Sequence, residues 1–259
     1  MRILITNDDG IYSRGLKALE KIAKEIAGPK GEIWVVAPAF EQSGVAHCIS
    51  YIKPITISQI DKRRWATEGS PADCVIAAVH NIMKDSPPDL ILSGVNRGNN
   101  SAENALYSGT LGAAMEGSLQ GFKSIALSQY YGPEIIDSSD PFEAARHHAP
   151  KVIQFILNTE IGKLGTYRTF FNVNFPPVAG RNVKGMRIVP QGMRSDRQFH
   201  IETLKSIGNK SILWVAGSNQ QIPSEPETDA ALNLMGYISI TPMTADLTDY
   251  QFLHALEVN

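Results

Sequence analysis

Two cysteines in 259 residues, Cys48 and Cys74, are too few for the disulfide framework that staples small secreted domains. In a reducing compartment two separated thiols read as small buried hydrophobes. An excess of one charge is lacking too. The 24 Lys and Arg nearly balance 26 Asp and Glu, for a formal net charge of −2. No broad basic field therefore advertises a nucleic-acid polymer or an anionic membrane as partner, and any anionic substrate must be held locally. No apolar run is long enough to span a bilayer. The chain enters the apolar strand Ile3-Leu4-Ile5 directly, without the basic segment, apolar core and small-residue cleavage site of a secretory leader, so a cytoplasmic location is expected. There is no HExxH and no CxxC spacing, and zinc has little support. His147-His148 falls on an expected helix, where neighbours point about 100° apart, and reads as surface.

What is present alternates strand with helix. Arg2 to Thr6 reads as a buried strand, and Gly15 to Ala27 as an amphipathic helix with Leu16, Leu19, Ile22, Ala23 and Ile26 on one face, stopped by Gly28-Pro29. Glu32 to Ala37 is a second strand closed by Pro38. Ser70-Pro71 has the form of an N-cap with proline in the first turn, opening a helix through Met83. Leu90 to Leu92, Ser124 to Ser128 and Phe170 to Phe175 read as further strands. Gly109 to Leu119 and Phe142 to Leu157 read as helices, the latter with a kink expected at Pro150. From Gln191 to Ala216 the pattern is an extended polar hairpin, followed by a short helix at Thr228 to Leu234 and a strand at Tyr237 to Thr241. Repeated strand-loop-helix units argue for an α/β fold with a doubly wound, mostly parallel sheet and a C-terminal hairpin and helix extension. The expected division is a core over 1–190 and an extension over 191–259. Such sheets bind ligands outside the carboxyl ends of their strands, at a switch in strand order.

Three loops follow strand ends. The first carries Asn7-Asp8-Asp9-Gly10, the second Glu41-Gln42-Ser43-Gly44, and the third Asn96, Asn99 and Asn100 between glycines. Adjacent carboxylates facing one crevice repel and lose solvation unless a cation compensates. Solvated turn formation beside Gly10 is the other reading of that string. The three loops offer only hard oxygen donors, which suit Mg²⁺ or Mn²⁺. A fourth string, Tyr107-Ser108-Gly109-Thr110-Leu111-Gly112, opens a helix. Its free backbone N–H groups and the Ser108 and Thr110 hydroxyls fit a phosphate, and equally an ordinary Ser/Thr cap.

Taken in order, NDDGIYSRGLKAL (7–19), VVAPAFEQSGVAH (35–47), EGSPADCV (68–75), PDLILSGVNRGNN (88–100), YSGTLGAAMEG (107–117) and GYISITPMTADLT (236–248) resemble the SurE survival proteins, a family of metal-dependent 5′/3′-nucleotidases. The resemblance implies a Rossmann-like core and one divalent ion held by Asp8, Asp9, Ser43 and Asn96. It also implies action on nucleoside monophosphates, with short polyphosphate as a further substrate, and a homodimer or homotetramer built partly by exchange of carboxy-terminal elements. Asp8, Asp9 and Asn96 are then the expected catalytic groups, with Asn96, Ser108, Gly109 and Thr110 orienting the phosphoryl group. Two alternatives differ in chemistry. One is an aspartyl-phosphate phosphatase with Asp8 as nucleophile, although such enzymes carry Asp-x-Asp where these acids are contiguous. The other is a phosphate or nucleotide sensor that binds without hydrolysis.

Overall fold

The computed structural model describes residues 1–158, 167–194, 199–217, 219–222 and 224–256. In chain order the elements are β1 (Arg2–Thr6), α1 (Arg14–Ala27), β2 (Glu32–Pro38), β3 (Ile57–Asp61), β4 (Arg64–Thr67), α2 (Pro71–Ala77), β5 (Leu90–Arg97), α3 (Asn104–Tyr107), α4 (Gly109–Leu119), β6 (Ser124–Gln129), α5 (Glu143–Asn158), β7 (Thr169–Phe175), β8 (Met186–Ile188), β9 (Phe199–Ile207), β10 (Lys210–Gly217), α6 (Asp229–Leu234), β11 (Ile238–Thr244) and α7 (Tyr250–Leu256). The part of the hairpin reading that falls on 195–198 lies outside the described residues.

Nine strands form one sheet in the order β3-β4-β2-β1-β5-β6-β7-β11-β8. The pairs from β4 through β2, β1, β5 and β6 to β7 are parallel. Only β3–β4 and β7–β11 run antiparallel within this sheet. The fold is thus α/β with a mostly parallel, doubly wound sheet, and β9 with β10 forms a separate antiparallel hairpin. Chain order departs in opposite directions on the two sides of β1, toward β2 on one and β5 on the other. That is the switch point at which a crevice opens.

Side-chain alternation assigns the two faces. Ile3 and Ile5 of β1 pack with Leu16, Leu19 and Ile22 of α1 and Val152 and Ile153 of α5, whereas Leu4 packs with Cys74 and Val75 of α2 and Ala113 of α4. Burying each of those large aliphatic side chains contributes about 1.5–3 kcal/mol. Helix α1 begins at Ser13, whose Oγ accepts from Leu16 N at 3.2 Å, and stops at Gly28, where φ is 71°. At Gly15 an added Cβ would come within 1.9 Å of Val95 O. The missing side chain therefore lets α1 lie directly against the end of β5.

Several expectations are corrected. Cys74 is fully buried, but Cys48 is exposed, because it lies in an irregular surface stretch between β2 and β3; both thiols are free. The helix begun at Pro71 stays α-helical only to Ala77 and passes into a π-helical turn at Ala78–Ile82. Strand β2 runs on through Pro38, whose carbonyl accepts from Ile11 N at 2.8 Å, and β5 extends to Arg97. His147 is exposed, as expected of a surface pair, but His148 is half-buried and its Nε2 meets Gly180 O at 2.8 Å.

Candidate active site

The first loop is built by Asn7. Its Nδ2 donates to Gly10 O at 3.0 Å and to Ser13 Oγ at 2.8 Å, so one buried amide ties the end of β1 to the cap of α1. Gly10 adopts φ 96°, which favours glycine. That turn sends Asp8 and Asp9 to different neighbours. Asp8 is 5% exposed. Its Oδ1 accepts from Thr110 Oγ1 at 2.6 Å and its Oδ2 from Thr110 N at 3.1 Å, while its carbonyl accepts from Gln42 N at 2.7 Å. Asp9 is half-buried, and its Oδ2 accepts from Arg97 N at 3.1 Å.

Those bonds join four segments at one rim: the ends of β1, β2 and β5 and the start of α4. Gly109 allows the closest approach, since a Cβ there would stand 3.0 Å from the Asp8 Cβ. The second loop lies on the end of α3 through Ala46 N, which donates to Tyr107 O at 3.0 Å, and on α4 through His47 Nε2, 2.7 Å from Glu116 Oε2. Gly112 makes room, because a Cβ would lie 2.3 Å from Ala46 O. Ser43, exposed in that loop, donates its hydroxyl to Glu41 Oε1 at 2.8 Å. In the third loop Asn96 Nδ2 donates to Gly98 O at 3.0 Å.

The electrostatics follow from this packing. Burial pushes the Asp8 carboxyl up to about 6; the Thr110 hydroxyl works against that shift and the Asp9 charge adds to it. Burial also raises Asp9, opposed by the Arg97 backbone donor and guanidinium and assisted by Glu41. Two neighbouring carboxylates that each resist ionisation form a site a hard cation would stabilise. The adjoining loops offer further hard oxygens in Ser43 and Asn96, donor types of the kind that suit Mg²⁺ or Mn²⁺. Among the described residues no group of three or more His, Cys, Asp and Glu side chains could hold a metal, so such a site depends on the neutral oxygens.

The structure brings the loops that carry Asp8 and Asp9, Ser43, and Asn96 together at one rim, through Gln42 N to Asp8 O and Arg97 N to Asp9 Oδ2. At the helix opening the cap reading is realised, and the expectation that Thr110 faces a phosphate is corrected, because its donors are taken by Asp8. Ser108 Oγ caps α4 by accepting from Leu111 N at 3.1 Å, and Thr110 spends its amide and hydroxyl on Asp8. Gly109 presents its backbone between Asp8 and Val45. The sequence alone gives no role to Arg97, Arg14 or Tyr131, which with Asp9 and Glu41 line a cavity of ≈ 310 Å³. The available signal was positional: Tyr131 stands just past β6, where a doubly wound sheet also presents loops. A larger cavity of ≈ 930 Å³, between α4 and β11, holds none of the four candidate ligands.

The family model of the survival protein SurE matches residues 3–198. A 5′-nucleotidase SurE of Ruegeria pomeroyi is 60% identical over 257 residues, covering 99% of both chains. The 5′-nucleotidase SurE of Roseobacter denitrificans is 57% identical over 256 residues, with 99% of this chain and 98% of that one covered. A crystal structure of the SurE protein of Aquifex aeolicus superposes with a TM-score of 0.80 at 32% identity, covering 100% of this chain and 99% of the other.

Proposed function

Because the chain belongs to the SurE family, we propose that it is a metal-dependent 5′-nucleotidase, a phosphoric monoester hydrolase that converts nucleoside 5′-monophosphates to nucleoside and phosphate. Nucleoside 3′-monophosphates and short polyphosphate are further substrates in this reading. The observation that carries it is the pair Asp8 and Asp9 at the switch point, one clamped to the first turn of α4 and the other facing the open crevice. The curated relatives named as 5′-nucleotidases support the substrate class.

Asp8, Asp9, Ser43 and Asn96 would hold one Mg²⁺ or Mn²⁺, which when bound supplies Lewis-acid polarisation of a phosphoryl oxygen and neutralises developing charge. The chain's own groups do the rest. Thr110 fixes the Asp8 carboxylate so that it needs no reorganisation during turnover. The Gly109 amide and the positive end of α4 receive phosphoryl oxygens, with the Ser108 hydroxyl and Asn96 beside them. Arg97, next to Asp9, adds a cation at the open side of the crevice. Asp8 does not suit a nucleophile, since both its oxygens are hydrogen-bonded to Thr110 and it is almost fully buried.

The test is phosphate release from a panel of nucleoside monophosphates and short polyphosphates with Mg²⁺, Mn²⁺ or EDTA. Activity on 5′-monophosphates that EDTA abolishes and Mn²⁺ restores is expected. Asp9→Asn should lose on the order of 10²-fold in rate. Tight nucleotide binding without metal-dependent release would instead establish a sensor. No described helix is long and apolar enough to cross a membrane, and the reading places the enzyme in the cytoplasm. It also treats residues 191–259 as an assembly arm for a homodimer or homotetramer. The hairpin supports this with the exposed side chains of Ile201, Leu204, Leu213, Trp214 and Val215.

A further inference from the structure

Strand β7 reads FFNVNF over residues 170–175, and its alternation divides two kinds of side chain between the faces of the sheet. Phe171, Val173 and Phe175 join the main core, whereas Asn172 and Asn174 share the other face and are fully buried. A side-chain amide inside a central strand is costly unless it is paired. Here the partners come from a loop rather than from the sheet. Asn174 Oδ1 accepts from Asn100 N at 2.7 Å, and Asn172 Nδ2 donates to Asn100 O at 2.8 Å. The two amides also bond each other, Asn174 Nδ2 donating to Asn172 Oδ1 at 3.2 Å. Asn100 adds a third hold, since its own Nδ2 donates to Ser128 Oγ of β6 at 2.8 Å. In a sheet ordered β5-β6-β7, the loop that leaves β5 thus reaches across β6 and is pinned at β7.

We propose that Asn172 and Asn174 are positioning residues for the metal-phosphate centre, acting through the backbone of Asn100 on Asn96. The assignment rests on the metal-dependent nucleotidase reading and extends it to a strand that does not border the crevice. Only Arg97, Gly98 and Asn99 separate Asn96 from the anchor. Within that stretch the Asn96 amide is tied to the Gly98 carbonyl at 3.0 Å, so its placement follows that of Gly98. Gly98 itself has φ 122°, a region where glycine is free to move, so the loop needs a fixed point beyond it. Asn100 supplies that point, because its backbone N–H and C=O are both spent on β7. The same stretch carries the Arg97 N–H that meets Asp9 Oδ2 at 3.1 Å, and the anchor therefore bears on a second candidate ligand. Groups that hold metal ligands from behind are worth about tenfold to a hundredfold in metal affinity.

The experiment titrates Mn²⁺ into the full-length protein without nucleotide and reads free Mn²⁺ by its electron paramagnetic resonance signal. Asn172→Ala and Asn174→Ala should each weaken Mn²⁺ binding about tenfold, in proteins whose circular dichroism shows an intact fold. Val173→Ala is the control on the same strand. It opens a cavity on the opposite face, so it should lower the melting temperature and leave Mn²⁺ affinity unchanged. Ser128→Ala removes only the acceptor of the Asn100 side chain and should weaken binding about threefold; it decides the matter if an asparagine variant does not fold. Wild-type affinity in the folded asparagine variants or in Ser128→Ala, or an equal loss in Val173→Ala, overturns the positioning role and leaves the metal-phosphate site standing. A wild-type protein that binds no Mn²⁺ overturns the metal-dependent reading itself, and the positioning role with it.

Discussion

Asp8 and Asp9 are adjacent in sequence but do different work. Asp8 is a fixed point, held at 2.6 Å by the Thr110 hydroxyl, whereas Asp9 borders an open cavity and takes its donor from the Arg97 backbone. Thr110→Val keeps the volume and the backbone donor while deleting the hydroxyl. A hydrogen bond to a charged group is worth about 1.5–3 kcal/mol, so kcat/KM should fall about tenfold to a hundredfold with the fold intact, as steady-state kinetics beside circular dichroism would show. At this scale the sequence was a good guide to which atoms matter, because strings such as Asn7-Asp8-Asp9-Gly10 carry their chemistry locally. It was a poor guide to their division of labour. Thr110 was expected to face phosphate, and its commitment to Asp8 is a contact between residues 102 positions apart. No local pattern records such a partner.

Among the elements, α4 connects the parts of the crevice. Its first turn holds Asp8, Gly112 admits the loop that carries Ser43, and Glu116 anchors His47 of that loop. Glu116 is 5% exposed. Burial alone would raise its carboxyl, but hydrogen bonds from His47 and from Gln120, the latter at 2.6 Å, hold it below the ordinary value of 4.5. A depressed folded value means that this carboxylate stabilises the fold above the ordinary glutamate range, and that the contribution disappears as pH falls through the folded value. Thermal melts should therefore show Glu116→Gln less stable than the wild type by about 1.5 kcal/mol at pH 7. That gap should close as pH drops below 4.5. A gap that stays constant down to pH 3 would contradict the assignment.

The same scale shows why some elements were legible and others not. Strands β1, β5 and β6 are continuous apolar or small-residue runs, buried on both faces, and helix α1 carries one clear stripe. The hairpin of β3 and β4 escaped notice because Ile57–Asp61 is a largely exposed edge strand with almost no apolar alternation. Cys48 was misplaced because burial of a lone thiol in a loop depends on what the loop lies against, which composition does not encode.

For the whole molecule, the sheet's last strands are out of chain order: β11 inserts between β7 and β8, although β9, β10 and α6 intervene in the chain. The segment after β8 therefore leaves the sheet to form the hairpin and returns to complete it. Arg194, 7% exposed, fastens the root of that excursion by donating to Ser101 O and Ser101 Oγ, both at 3.1 Å. Beyond the root, Ile201 and Leu204 of β9 and Ile212, Leu213, Trp214 and Val215 of β10 face water, and so do Phe252, Leu253 and Leu256 of α7. If the exposed hairpin is an assembly surface, light scattering should give two or four times the 28.3 kDa chain mass. Trp214→Glu combined with Leu204→Glu should lower that mass without loss of helix or strand signal. An unchanged mass would remove the hairpin from the interface.

The bond from Thr110 back to Asp8 also has a consequence for biosynthesis. The two acids leave the ribosome well before their cradle, a helix that begins about a hundred residues later. A nascent chain halted before residue 108 would carry the whole acidic string and still have nothing to hold it. Assembly of the crevice must then wait for long-range closure of the sheet around β1, β5 and α4, a slow class of folding step. Competence for catalysis thus arrives late, and a chain that fails to close is inert.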